Sequence, residues 1–280
     1  MRAVILGLAS LTIAGNAVAA DYLRGSTYDA LPSARYDWSG VYAGAQWSYS
    51  SNTYEFNKST RPLVADILRQ TLLESEGHVS DLPNLPKRST TGSGFGFFVG
   101  YNSQWGDAVV GLEVNYNRVG GGTAASSDII GRVFETSDEF SNNFLISSSA
   151  TARLTDIGSL RMRLGYAWGW VMPYGMFGLA IGRVDAFRTA TVNLVATDAS
   201  DAALDPTDGI PPRPGAVLNQ SRTESRNGVV TFGYMLGAGV DIGLFPGVFV
   251  RGEWEYAQLN SVLGIPISVN SFRVGAAVKY

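Results

Sequence analysis

Ser271-Phe272-Arg273-Val274-Gly275-Ala276-Ala277-Val278-Lys279-Tyr280 is the stretch that decides the fold. Phe272, Val274, Ala276, Val278 and Tyr280 share one face; Ser271, Arg273, Gly275, Ala277 and Lys279 share the other. Strict period two marks a β-strand, because successive side chains point to opposite faces. Two environments fit a strand with one apolar and one charged face. In a soluble sandwich the apolar face is the core and the charged face meets water. In a transmembrane barrel the apolar face meets lipid and the polar face meets the interior.

Working backwards from this strand, seven more alternating segments can be read. They are Trp38–Tyr49, Gly94–Asn102, Ala108–Asn117, Phe144–Trp168, Pro173–Val184, Val229–Ile242 and Val248–Gln258. The cleanest carries Val230, Phe232, Tyr234, Leu236, Ala238, Val240 and Ile242 on one face and Thr231, Gly233, Gly237, Gly239 and Asp241 on the other. Connection lengths separate the two environments. Gln104-Trp105-Gly106-Asp107, Gly169-Trp170-Val171-Met172 and Phe245-Pro246-Gly247 are tight, whereas segments 50–93, 118–143 and 185–228 are long. Short turns at one end and long loops at the other belong to transmembrane barrels. Compact soluble domains connect mostly by short links. Tyr49, Tyr101, Tyr116, Tyr166, Trp254, Tyr256 and Tyr280 fall near the ends of the apolar faces, where an interfacial girdle would sit. The expected fold is all-β: an eight-stranded antiparallel transmembrane β-barrel over residues 38–280, with both ends on the short-turn, periplasmic side.

The front of the chain reads as an export signal. Arg2 is followed by an apolar run from Val4 to Ile13 and then by the small-residue site Ala17-Val18-Ala19. That order is a cleavable signal peptide over residues 1–20, and the run is shorter than the ~20 residues a spanning helix needs. Residues 21–37 read as an unstructured periplasmic lead. In the first long loop, Leu63, Ile67, Leu68 and Leu72 have helical spacing, so Leu63–Glu74 is expected as a short amphipathic helix over the barrel mouth. The third long loop, with Pro206, Pro211, Pro212 and Pro214, is expected to be mobile.

Eight strands leave an interior that side chains can fill. The inward positions collect charge of both signs: Glu113, Asp241, Glu253 and Glu255 against Arg161, Arg163, Arg251, Arg273 and Lys279. Basic groups turned to the lipid midplane would cost ~2–4 kcal/mol each. Inside, they can neutralise one another, so a salt-bridged plug is expected and no wide pore. The same charges could instead form a selectivity ring.

Little else points to chemistry. The chain has no Cys, so disulfides and thiolate metal sites are excluded. The formal net charge of −3 gives no basic stripe for nucleic acid. His78 is the sole histidine; a Ser-His-Asp triad would need it as base, and with loop tyrosines it could hold a haem iron. Gly92-Ser93-Gly94-Phe95-Gly96 lacks the Lys and helix start of a phosphate loop. The expectation is a non-enzymatic barrel without cofactor, haem at His78 being the alternative.

Several motifs in order resemble one family. Trp38-Ser39-Gly40-Val41-Tyr42 with Gly44, Arg161-Met162-Arg163-Leu164-Gly165-Tyr166, Pro173-Tyr174 with Gly178-Leu179-Ala180, Gly233-Tyr234 with Gly237-Ala238-Gly239-Val240-Asp241, and Arg273-Val274-Gly275 through Tyr280 carry the likeness. The chain resembles the small, opacity-protein-like outer-membrane β-barrels of alphaproteobacteria, which include major surface antigens, porin-family proteins and haemin-binding proteins. Ser48 departs from the glycine usual before the closing tyrosine of the first strand. The resemblance implies an abundant envelope protein of the Gram-negative outer membrane. Its implied partners are outer-membrane lipids and lipopolysaccharide, host surface molecules at the loops, and the barrel-assembly machinery, with Tyr280 as the assembly signal. A monomer is expected because a closed barrel has no free edge. A small-solute porin or haem receptor is the alternative function.

Overall fold

A computed structural model of the chain describes residues 36–200 and 213–280. The expected signal peptide, the lead up to residue 35, and Pro206, Pro211 and Pro212 lie outside the described residues. Among the described residues nine strands form one antiparallel sheet: β1 Gly40–Tyr54, β2 Arg88–Trp105, β3 Ala108–Arg118, β4 Ala124–Glu135, β5 Phe140–Tyr166, β6 Val171–Asp198, β7 Val217–Phe245, β8 Val248–Val262 and β9 Ile265–Lys279. β9 pairs with both β8 and β1, Val278 standing opposite Ala43, and β3 pairs with β5, so eight strands close into a ring. β4 lies outside that ring and adds only to the upper half of β5, Ala124 opposite Ala152.

Alternation sets the two faces. Phe95, Phe97, Val99 and Tyr101 of β2 are exposed outward, as are Val230, Phe232 and Tyr234 of β7. The inward partners Tyr42, Gln46, Phe98, Asn115 and Arg161 are buried. Only a wall between an apolar medium and a filled interior makes this pattern stable, since the greasy side is the exposed one. Tight turns close one end: Gly106 and Gly247 take φ of +62° and +80°, conformations that glycine adopts without strain.

The strands are longer than the alternation of apolar residues suggests. β5, β6 and β7 have 27, 28 and 29 residues. A tilted strand crosses a bilayer in about 9–11 residues. The expected long loops 118–143 and 185–228 are therefore largely strand: β4 runs through the first, and β6 and β7 run into both ends of the second. β4 and the upper halves of β5, β6 and β7 form a sheet that projects beyond the ring. Register shifts at Leu154/Asp156 and Val184/Ala186 mark where it departs.

The helix expected over Leu63–Glu74 is two helices, α1 Arg61–Leu68 and α2 Leu72–Gly77. Thr71 divides them. Its hydroxyl donates to the Leu68 carbonyl at 2.8 Å and accepts from the Glu74 amide at 3.3 Å, ending one helix and capping the next. Leu63, Val64, Ile67 and Leu68 are buried against Phe144, Ile146, Ala190, Val192 and Leu194, so α1 covers the inward face of the projecting sheet.

The lead also ends in structure. Tyr36 is buried, its ring 4.4 Å from Trp38 and 5.2 Å from Trp170. An aromatic of this size gains stability by filling the barrel floor.

Candidate functional site in the barrel interior and the projecting sheet

The lumen is filled in three tiers. Tyr36, Trp38, Trp170 and Phe249 make an aromatic floor beside the tight turns. Tyr54, Leu154, Val184, Leu259, Ile265 and Ile267 make an apolar roof. Between them lies an ionic middle tier.

Four carboxylates and four guanidinium groups meet there, all buried: Glu113, Asp241, Glu253, Glu255, Arg161, Arg163, Arg251 and Arg273. Arg161 sits at the centre. Its Nε donates to Glu113 at 2.9 Å, Nη1 to Glu255 at 3.0 Å and Nη2 to Glu253 at 2.9 Å. Arg251 joins Asp241 to Glu113, with Nη1 2.8 Å from the Glu113 carboxylate. Arg163 reaches Asp241 at 2.6 Å and the Tyr42 hydroxyl at 2.7 Å. Arg273 grips Glu255 at 2.5 and 2.7 Å. Charge in a water-poor interior is stable only when paired and hydrogen-bonded, and here each carboxylate accepts from at least one arginine.

Register explains the assembly. Glu113 faces Arg161 across β3 and β5, Asp241 faces Arg251 across β7 and β8, and Glu253 faces Arg273 across β8 and β9. Two tyrosines that the list of charges leaves out complete the tier. Tyr42 donates to Glu113 at 2.7 Å and Tyr174 to Glu253 at 2.6 Å. The Arg163 guanidinium lies 3.8 Å from the centroid of the Tyr174 ring. Inward parity was the available signal for both. Opposite Tyr174 the wall has no side chain: a Cβ on Gly239 would stand 2.5 Å from the Tyr174 hydroxyl.

Lys279 is inward but does not reach this tier. It sits at the floor, its ammonium donating to the Asp37 carbonyl and 3.8 Å from the Asp37 carboxylate. It stands opposite Tyr42 at the lower edge of the tier, and its ammonium turns down to Asp37 of the lead instead of up to the carboxylates. Tyr280 is exposed on the outer face, its amide bonded to the Val41 carbonyl at 2.8 Å. His78 is exposed and left-handed at φ +45°, its amide closing α2 onto the Glu74 carbonyl. Among the described residues no group of His, Asp and Glu is arranged to hold a metal.

The outer membrane protein β-barrel domain model matches residues 23–279. The chain belongs to the outer-membrane β-barrel family. Its place is therefore the outer membrane, tight turns toward the periplasm and the projecting sheet outside. No curated protein matches it in sequence. Among solved structures, Ail, the attachment invasion locus protein of Yersinia pestis, is 15% identical, with 86% of this chain and 99% of that one covered and a TM-score of 0.34. Neisserial surface protein A is 11% identical, covering 86% and 98%, also at 0.34. The outer membrane protease OmpT from Escherichia coli is 7% identical, covering 86% and 97%, at 0.27.

Outside the membrane, the wall of this barrel carries further polar braces. Arg188, inward on β6, donates to the carbonyls of Ser59 at 2.5 Å and Leu263 at 3.0 Å and to Glu224 at 2.6 Å. It ties the start of α1, the β8–β9 turn and β7 together. At the top, Arg213 donates to Asp198 at 2.7 Å, and these hydrogen bonds hold the Asp198 carboxyl well below the usual carboxylate range.

Proposed function

We propose that this protein is a closed, non-enzymatic membrane anchor that holds a stiff sheet outside the cell for contact with other surface molecules. The observation that carries this reading is the three-tier filling of the lumen. A filled interior serves stability and not passage. The remaining investment is in the projection: about fourteen residues of β6 beyond the bulge, roughly 45 Å of strand, braced by α1, α2 and Arg188. Loops and projections on a rigid scaffold are where binding resides.

The apolar Val4–Ile13 run and Ala17-Val18-Ala19 support export through a cleaved signal. Assembly through the terminal strand, lipopolysaccharide as a lateral neighbour and host molecules at the projection belong to the same proposal.

The test is conductance. The refolded chain in a planar bilayer should give no regular openings at moderate voltage. Steady open channels would overturn the anchor reading and make Arg161, Arg251 and their partners selectivity residues.

A further inference from the structure

The projecting sheet has an outward face without charge. Its outward positions are the odd-numbered residues of 125–133 on β4, 143–151 on β5, 187–195 on β6 and 217–225 on β7, paired in register from strand to strand. These positions hold only Gly, Ala, Ser, Thr, Asn and a few larger apolar side chains. The same strands carry Asp128, Arg132, Arg188, Arg222 and Glu224 at even positions, so the neutrality belongs to the face and not to the strands. Phe187 stands low on the face, Ile129 and Leu145 midway, and Val133, Val195 and Val217 share its top row. Ile129 is 69% exposed and Val217 76%. Both lie above the lipid-facing band, and apolar groups gathered on a surface in water mark a contact.

Directly below this face, Arg153 on β5 stands opposite Asp185 on β6. Two copies in one membrane are related by an axis along the membrane normal. An axis rising between β5 and β6 carries Arg153 of each copy toward Asp185 of the other. The same rotation lays the neutral face on its own counterpart, where no like charges meet. This is the requirement of an isologous contact, whose surface must be complementary to itself. A partner with a charged surface would leave its charges unpaired against these apolar and hydroxyl rows. The shared membrane also holds both copies at one height, so apolar top meets apolar top. Because each copy is already oriented, part of the rotational cost of association is absent. The face measures roughly 30 Å by 19 Å at ordinary strand rise and spacing. Packed together, two such faces bury about 1,100 Å², above the ~1,000 Å² that a specific interface requires.

We infer that two copies of this protein pair in the outer membrane through the outward faces of their projecting sheets, with Arg153 and Asp185 exchanged across the axis. Closure of the ring removes free edges within the membrane, but this contact is a face and stands outside it. The inference rests on the projection as a contact surface, proposed above, and names its partner as the same chain. It is independent of whether the lumen conducts.

Site-directed cross-linking in the outer membrane of intact cells tests it. The chain has no Cys, so one introduced thiol reports one place. Ser147→Cys, near the axis on β5, should give a dimer with a short bismaleimide. Ser51→Cys, outward on β1 across the ring, should give monomer. In the Ser147→Cys chain, Arg153→Glu sets like charges across the axis and should lower the dimer yield about tenfold. Adding Asp185→Arg returns opposite signs and should restore the yield. Heat-shifted gel mobility reports that each variant is folded. Equal dimer yields from Ser147→Cys and Ser51→Cys, monomer from Ser147→Cys, or a folded charge swap that fails to restore the yield would overturn the pairing. Monomer with a silent lumen would overturn the pairing and leave the anchor reading; dimer with steady open channels would do the reverse.

Discussion

Arg251 and Asp241 stand directly opposite each other on β8 and β7, and the Arg251 guanidinium spans both carboxylate oxygens at 2.9 and 3.1 Å. Asp241 also accepts from Arg163. Removing this carboxylate leaves two buried cations short of a partner. Asp241→Ala should destabilise the barrel by ~3–5 kcal/mol, the usual cost of breaking a buried pair. Replacing Asp241 and Arg251 together with apolar residues of similar volume should cost much less. Urea unfolding followed by tryptophan fluorescence measures both; equal losses would mean that the pairing is incidental to stability.

Tyr174 and Gly239 form a second dependence, of shape and not charge. The tyrosine ring occupies the space that a side chain at 239 would fill, and its hydroxyl bonds Glu253 at 2.6 Å. Gly239→Ala should therefore cost ~1–3 kcal/mol through overpacking. Tyr174→Ala in the same chain should recover part of that loss by clearing the space. A double-mutant cycle on unfolding free energies gives the coupling. Additive losses would count against the clash.

How far these arrangements could be read from residues alone follows from contrast between faces. Where Phe, Leu and Val alternate with Gly, Arg and Glu, as in β2, β7 and β9, period two is unambiguous, and the inward charges of the ionic tier fall out of parity. Above the membrane the outward face turns to Ser, Thr and Asn, as at Ser147–Thr151 and Thr189–Asn193, while the inward face keeps small or apolar residues. Contrast then drops, and strand resembles loop. β4 lacks contrast too: Ile129 and Val133 are exposed on one face while Ile130 and Phe134 stand on the other, Phe134 packed against the α1 cluster, so parity marks no single apolar face. Tyr42 and Tyr174 were visible as inward residues, but their partners lie on strands distant in the chain, and only closure of the ring brings them together. Lys279 shows the converse. Parity gives its face but not its height.

Leu68 tests whether the projection is a separate structural layer. It is fully buried under α1 against the inward face of β5 and β6. Leu68→Ala should cost ~2–5 kcal/mol of packing there. The loss should be local. Limited proteolysis should cut within residues 55–87 at a higher rate, while heat-shifted gel mobility of the membrane ring stays as in the parent. A matching loss of ring stability would show one cooperative unit instead of two layers.

Asp198 supplies the pH prediction. Hydrogen bonds from the Arg213 side chain, then from the Arg213 and Ser200 amides, stabilise its ionised form and lower its pKa in the folded protein. A carboxyl with a depressed folded pKa contributes stability above its unfolded value, about 3.9, and loses it as pH falls toward the folded value. The pairing at the top of β6 should therefore be constant from pH 7 to about pH 5 and weaken below about pH 4. The Ala196 amide, bonded to the Ala216 carbonyl at 2.8 Å, is the reporter, read by hydrogen exchange after correction for intrinsic rates. Asp198→Asn should show reduced protection already at pH 7, with no further fall between pH 5 and pH 3 at this site. If the parent and the variant lose protection in parallel over that range, another group controls the top of the sheet, and the Asp198–Arg213 pair is only an ornament of the surface.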